Sequence, residues 1–256
     1  MWNPLSLTSA DGRAIPALHA ASPKAGPRAA LLMHGITAEK TETGLYTQLA
    51  DRLLAQGVSV LSIDLPGHGD SPLPFEQTNV AAMVQDLAAA WAWLQARHAE
   101  IVPVCMSFSA SVFLLGQAAG LPRPQRVVLL NPVTDYRANF IEADTAWGSG
   151  FAPQLADPGF WTVASHAVPG TPLRLGRQLI SELALLAPQA VSLPAGMQVL
   201  VIHGDADTVI SLASAQRFAR ERCPLASTSF VVVAGAEHGF HEDPAPIHDA
   251  ICQFIA

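Results

Sequence analysis

Apolar positions run along the 256-residue chain in two alternating patterns. Short, nearly unbroken apolar stretches at 29–33, 58–63, 101–105, 127–130, 198–202 and 229–233 have the composition of strands buried on both faces. Between them, apolar residues recur every three or four positions, which predicts helices over 44–56, 80–98, 108–119 and 211–222 and a last one from about Pro246. Before the first buried run, 5–8 and 15–20 alternate about Ala10-Asp11-Gly12 and predict a hairpin. Strand and helix in alternation predict one α/β domain built on a mostly parallel, eight-stranded sheet with helices on both faces. The alternation breaks at about 133–194, too long for a simple connection, which predicts an inserted cap with a helix over 177–186.

Composition supports a packed globular chain: half of the residues are hydrophobic and 14% are charged. The net charge of −7, with scattered Lys and Arg, offers no footprint for nucleic acid or an anionic membrane. No run approaches the ~20 apolar residues of a membrane span, and the start, Met1-Trp2-Asn3-Pro4, lacks a basic segment; a cytoplasmic protein is expected. Cys105, Cys223 and Cys252 have no metal-type spacing and read as small buried hydrophobes.

The chemistry lies at the ends of the predicted strands. Acyl transfer through a covalent intermediate needs a nucleophile on a sharp turn, a base beside it and an acid that orients the base. Val104-Cys-Met-Ser-Phe-Ser-Ala-Ser111 leaves a strand and enters a helix, the setting of a nucleophile elbow, although Cys105 and Ser109 stand where glycines are usual. Ser107 is favoured over Ser109, because it leaves Ala110 rather than the β-branched Val112 at the crowded position three residues on. Asp207 in His203-Gly-Asp-Ala-Asp is the expected acid, Asp205 being better placed to close the turn, with Asp135 as the other candidate. His238 in Gly235-Ala-Glu-His is the expected base and His241 its rival; the two histidines lack a metal-binding pattern. The backbone amides of Ile36, in His34-Gly-Ile-Thr37, and of Phe108 are the candidate oxyanion hole, with His34 and His68 structural.

These motifs, with Asp64-Leu-Pro-Gly-His-Gly-Asp-Ser71, resemble the α/β-hydrolase superfamily over nearly the whole chain outside the cap. The stretch from His34 through Ser71 resembles bacterial cinnamoyl and feruloyl esterases. The glycine-free elbow, with Asn131, Asp135, Asp207, Val209 and Gly235 to His238, is similar to the fatty-acyl transferase and thioesterase of bacterial luminescence. The resemblance implies a serine hydrolase, either a carboxylesterase or a thioesterase/acyltransferase. It would act on a small-molecule acyl ester or thioester through an acyl-serine, with no metal or organic cofactor. The alternative is a non-catalytic small-molecule receptor or assembly partner on the same fold. A cap over the carboxyl edge of the sheet is expected to wall the acyl pocket with Phe140, Trp147, Phe151, Phe160 and Trp161 and to favour a medium, long or aromatic acyl group, unless these rings only pack the cap.

Overall fold

Every long apolar run forms a strand in the computed structural model, which describes residues 2–24, 26–142, 145, 147–168 and 170–256, and of Phe151 the backbone alone. In chain order the strands are β1 (Asn3–Thr8), β2 (Ala14–Ala20), β3 (Arg28–Met33), β4 (Ser59–Ile63), β5 (Glu100–Met106), β6 (Arg126–Leu130), β7 (Ser165–Ala167), β8 (Arg174–Gly176), β9 (Gln198–Gly204) and β10 (Thr228–Val233). The helices are α1 (Leu45–Ala55), α2 (Val80–Gln95), α3 (Phe108–Ala118), α4 (Gly148–Phe151), α5 (Arg177–Leu185), α6 (Leu212–Arg222) and α7 (Ala245–Ile255). Eight strands form one sheet in the order β1-β2-β4-β3-β5-β6-β9-β10. The pairs β1–β2 and β2–β4 are antiparallel and the remaining pairs parallel.

In β3, β4, β5, β6 and β9 the unbroken apolar runs are explained by a sheet that is dry on both faces, whereas β10, at the edge, leaves Val232 exposed. In β9, Val199 and Val201 join the core beneath α2, α3 and α6, while Leu200 and Ile202 join the core beneath α1 and α7. The same alternation divides Ala29, Leu31 and Met33 from Ala30 and Leu32 in β3. With no solvent face to mark, a period of two in polarity cannot appear in these strands.

The strand order also fixes where a site can form. The chain leaves β3 to make β4 on one side, then returns to place β5 on the other, so β3 and β5 are neighbours whose outgoing loops diverge. That divergence opens a crevice at the carboxyl end of the sheet. Met33 pairs with Cys105 at the end of this register, which brings the His34 loop against the turn that carries Ser107.

Two sequence expectations shift. The second helix ends at Gln95 rather than at 98, because the amides of Arg97 and His98 both turn back onto Leu94 O at 2.9 Å. The cap contains a small antiparallel pair, β7–β8, that was not predicted; three-residue strands are too short to show a period. The cap helix α5 forms where expected and anchors the insertion, since Glu182 Oε2 accepts the Val80 N–H at 2.6 Å at the start of α2.

Candidate active site

Ser107 sits between β5 and α3 with φ 53° and ψ −113°, a backbone conformation that disfavours any side chain. The strain persists because both its backbone groups are held: its N–H donates to Leu130 O at 2.8 Å, and its carbonyl accepts from Val133 N at 3.0 Å. The result is a hydroxyl lifted out of the strand at the crevice. Ser109, the rival, turns into the core, donating to Met33 O at 2.7 Å or Met106 O at 2.8 Å. Ser111 likewise donates to Phe108 O at 2.6 Å.

Asp207 follows β9 and His238 follows β10, and the structure brings both to Ser107. His238 Nε2 lies 2.9 Å from Ser107 Oγ, and Nδ1 lies 2.7 Å from Asp207 Oδ2. Asp207 Oδ1 accepts the amides of Val209 at 2.8 Å and Ile210 at 2.9 Å. Burial on its own would raise the Asp207 carboxyl, but the hydrogen bond and charge of His238 with these two amides hold it below the usual carboxylate range. The rivals are occupied elsewhere: Asp205 Oδ1 accepts Gly235 N at 2.6 Å, and Asp135 Oδ1 accepts Ala138 N at 3.1 Å. His241 borders the crevice but makes neither the bond to Ser107 nor the bond to Asp207.

One positioning residue has a role that the sequence did not reveal. Asn131, after β6, sits at φ 39°, accepts Gly204 N at 2.9 Å and donates to His238 O at 2.7 Å, so it ties the end of β9, just before Asp207, to the loop bearing His238. Only its position in the resemblance pointed to it.

The His34 loop is set by backbone clamps. The His34 Nδ1–H donates to Gly35 O at 2.7 Å, and His34 Nε2 accepts Leu65 N at 2.9 Å, which fixes the neutral tautomer. Gly35 O also accepts Ala38 N at 3.2 Å, and Gly35 N donates to Glu42 Oε2 at 2.6 Å. In a trans peptide the N–H points opposite to the C=O, so pinning Gly35 O sets the direction of the Ile36 N–H. Ile36 lines one cavity with Ser107 and His238, and Phe108 N opens α3 directly after the serine.

That cavity, about 220 Å³, is walled by the His34 loop, Met106 and Gly239, and includes none of the described cap aromatics. Phe140 and Trp147 instead border a separate cavity of about 470 Å³ with Thr208 and Val209, beside the Asp207 loop. Phe160 and Trp161 are used for packing, which corrects the expectation that they wall the pocket. The Phe160 ring stacks on His166 with centroids 3.6 Å apart, and Trp161 Nε1 donates to Leu155 O at 3.0 Å. The Phe151 side chain lies outside the described residues.

The clamps on His34 have a measurable consequence. Burial, with His68 and Lys40 nearby, lowers the His34 pKa to about 3, so below 6.5 the unfolded chain takes up a proton that the folded chain refuses. Glu42 acts in the opposite sense: burial raises its carboxyl to about 7, so its contribution to stability falls as pH rises from 4.5 to 7. The two oppose each other between 4.5 and 6.5, and below 4.5 the His34 contribution stands alone of the two. Urea unfolding should therefore show stability falling as pH drops from 4.5 toward 3. His34→Gln, which can keep both clamps, should reduce that slope by about 1.4 kcal/mol per pH unit. An unchanged slope would mean that His34 is not held neutral.

Among solved structures, the fold is similar to Est1E from Butyrivibrio proteoclasticus with ferulic acid bound (TM-score 0.79, 15% identity, 98% of this chain and 97% of that one). It is also similar to a putative hydrolase from Agrobacterium vitis S4 (0.78, 19%, 100% and 99%) and to the esterase EaEST from Exiguobacterium antarcticum (0.73, 16%, 99% and 99%). No curated protein matches in sequence. The family model described as "Alpha/beta hydrolase family" matches residues 30–250, a span that runs from β3 into α7 and takes in Ser107, Asp207 and His238, and the chain therefore belongs to the alpha/beta hydrolase family.

Proposed function

We propose that the chain is a serine hydrolase that cleaves or transfers an acyl group from an ester or thioester through an acyl-serine intermediate. The observation that carries this reading is the continuous hydrogen-bonded series from Asp207 through His238 to Ser107, at a strained turn facing a cavity. Asp207 holds the Nδ1–H tautomer, so Nε2 accepts the serine proton as Oγ attacks the acyl carbon. The negative charge that develops on the carbonyl oxygen is met by the amides of Ile36 and Phe108. His238 then returns the proton to the departing oxygen or sulfur. Water or a second acceptor, activated by the same imidazole, releases the acyl group. Esters and thioesters meet at the same acyl-serine, so the triad serves both.

The cavity at Ser107 favours a compact acyl group over a long apolar chain, because its walls contain Thr37, Glu42, Thr43 and His241 rather than cap aromatics. A fluorophosphonate probe should label Ser107, identified by peptide mass analysis. Panels of nitrophenyl esters and acyl-coenzyme A thioesters should give kcat/KM that is higher for short acyl chains than for octanoyl. No labelling together with no turnover would sink the hydrolase reading, and an octanoyl optimum would sink the compact pocket.

A further inference from the structure

Beside Ser107 lies a carboxyl group for which acyl-serine chemistry has no use. Glu42 is 8% exposed and lines the cavity that holds Ser107 and His238. Its Oε2 is taken by the Gly35 amide at 2.6 Å, whereas among the described residues no hydrogen bond ends on Oε1. A Cβ added to Gly35 would stand 3.2 Å from Ser107 Cβ and 3.8 Å from Glu42 Oε1, so the serine and the carboxyl both flank the same face of Gly35.

Among the described residues no cation is placed to answer this oxygen. Lys40, two residues away, is committed to Asp64 and Asp70 at 2.7 Å each, and the residues lining the cavity include neither Lys nor Arg. Glu39, the other nearby carboxylate, accepts from Thr41 and adds negative charge. Oε1 keeps contact with solvent, so a substrate group that donates to it takes the place of a water. Burial raises the carboxyl to about 7, so it is mostly ionised, and a pure acceptor, at pH 8.

We propose that Glu42 is a substrate-binding residue that accepts a hydrogen bond from a hydroxyl or ammonium group carried by the substrate close to the scissile carbonyl. The substrate class is then a compact acyl compound with a hydrogen-bond donor, in either its acyl or its leaving half. This rests on the acyl-serine reading of Ser107. It differs from a purely structural role, in which Glu42 only pins Gly35.

Two isosteric series at pH 8 test it. In the first, nitrophenyl esters of 3-hydroxybutyrate, 3-aminobutyrate and 3-methylbutyrate differ only in OH, NH₃⁺ or CH₃. In the second, 2-hydroxyethyl, 2-aminoethyl and propyl butyrates make the same exchange in the alcohol, followed by pH-stat. In at least one series, kcat/KM should favour a donor over the methyl isostere by about 10- to 100-fold, as for a hydrogen bond to a charged group. The relative rates of the OH and NH₃⁺ arms distinguish a neutral from a cationic donor. Glu42→Gln can still accept from Gly35 with its amide oxygen while presenting a donor to the cavity, so it should abolish or reverse the preference. A merely structural role would leave that ratio unmoved. Equal rates for all three members of both series in wild-type protein whose Ser107 is labelled by fluorophosphonate would overturn the Glu42 assignment alone, as would a preference that survives in folded Glu42→Gln. If the native protein is neither labelled nor active, the acyl-serine reading and this assignment fall together. The wild-type comparison decides the matter should the variant not fold.

Discussion

Ser107→Ala is expected to lower the kcat of the accepted substrate by about 10⁴- to 10⁶-fold with the fold intact, the range seen when a triad serine is removed. The Ser107 side chain makes one hydrogen bond, to His238, and its backbone is held by Leu130 and Val133, so alanine removes the nucleophile without unsettling the turn. Because alanine keeps a Cβ at φ 53°, the backbone strain remains. Ser107→Gly should be equally inactive yet more stable than Ser107→Ala by about 1–3 kcal/mol. Ser109→Ala reports the opposite balance. It deletes a hydroxyl that donates to Met33 O or Met106 O and should cost about 1 kcal/mol of stability while most turnover survives. Steady-state kinetics with thermal unfolding on the three variants would decide the assignment. An active Ser107→Ala, or an inactive but folded Ser109→Ala, would reverse it.

For Asp207→Asn, a loss of about 10⁴-fold in kcat is expected, with little change in KM. The reason lies in which oxygen is already spoken for. Oδ1 accepts two backbone amides, from Val209 and Ile210, so an asparagine is forced to leave its carbonyl oxygen there and turn its NH₂ toward His238 Nδ1. Nδ1 must then accept a hydrogen bond rather than donate one. The ring proton moves to Nε2, facing Ser107, where the base can no longer take the serine proton. Hydroxide at high pH should not restore the rate fully, because the tautomer is set by the amides and not by the solvent. Activity within tenfold of wild type would mean that another carboxylate orients the base.

Much of this site was legible before any fold was drawn. The order of Ser107, Asp207 and His238 along the chain, each just after an apolar run, places three reactive side chains at one edge of a parallel sheet, since all such strands point the same way. The choice of Ser107 over Ser109 was likewise readable, from the size of the residue three positions on. Glu42 was not. In Glu39-Lys-Thr-Glu-Thr-Gly44 it stands in a polar, charged run that reads as solvated loop, and nothing local shows that left-handed backbone at Thr37, Glu42 and Thr43 folds it inward beneath Gly35.

The cap marks the same boundary from the other side. Its extent and its helix followed from where the alternation of strand and helix stopped and from a helical period over 177–186, observed as Arg177–Leu185. What its rings touch did not follow, because an aromatic side chain gains by burial against any apolar partner, and only the path of the irregular chain decides which one it meets. Phe160 found His166, Phe140 found Trp147, and the cavity at the serine was left to the polar His34 loop. Sequence periodicity determined the sheet, the helices and the order of the reactive residues, since these depend on neighbours a few positions apart. Which oxygen accepts which amide and which walls face the nucleophile were decided by the tertiary structure, since these contacts join residues up to 107 positions apart.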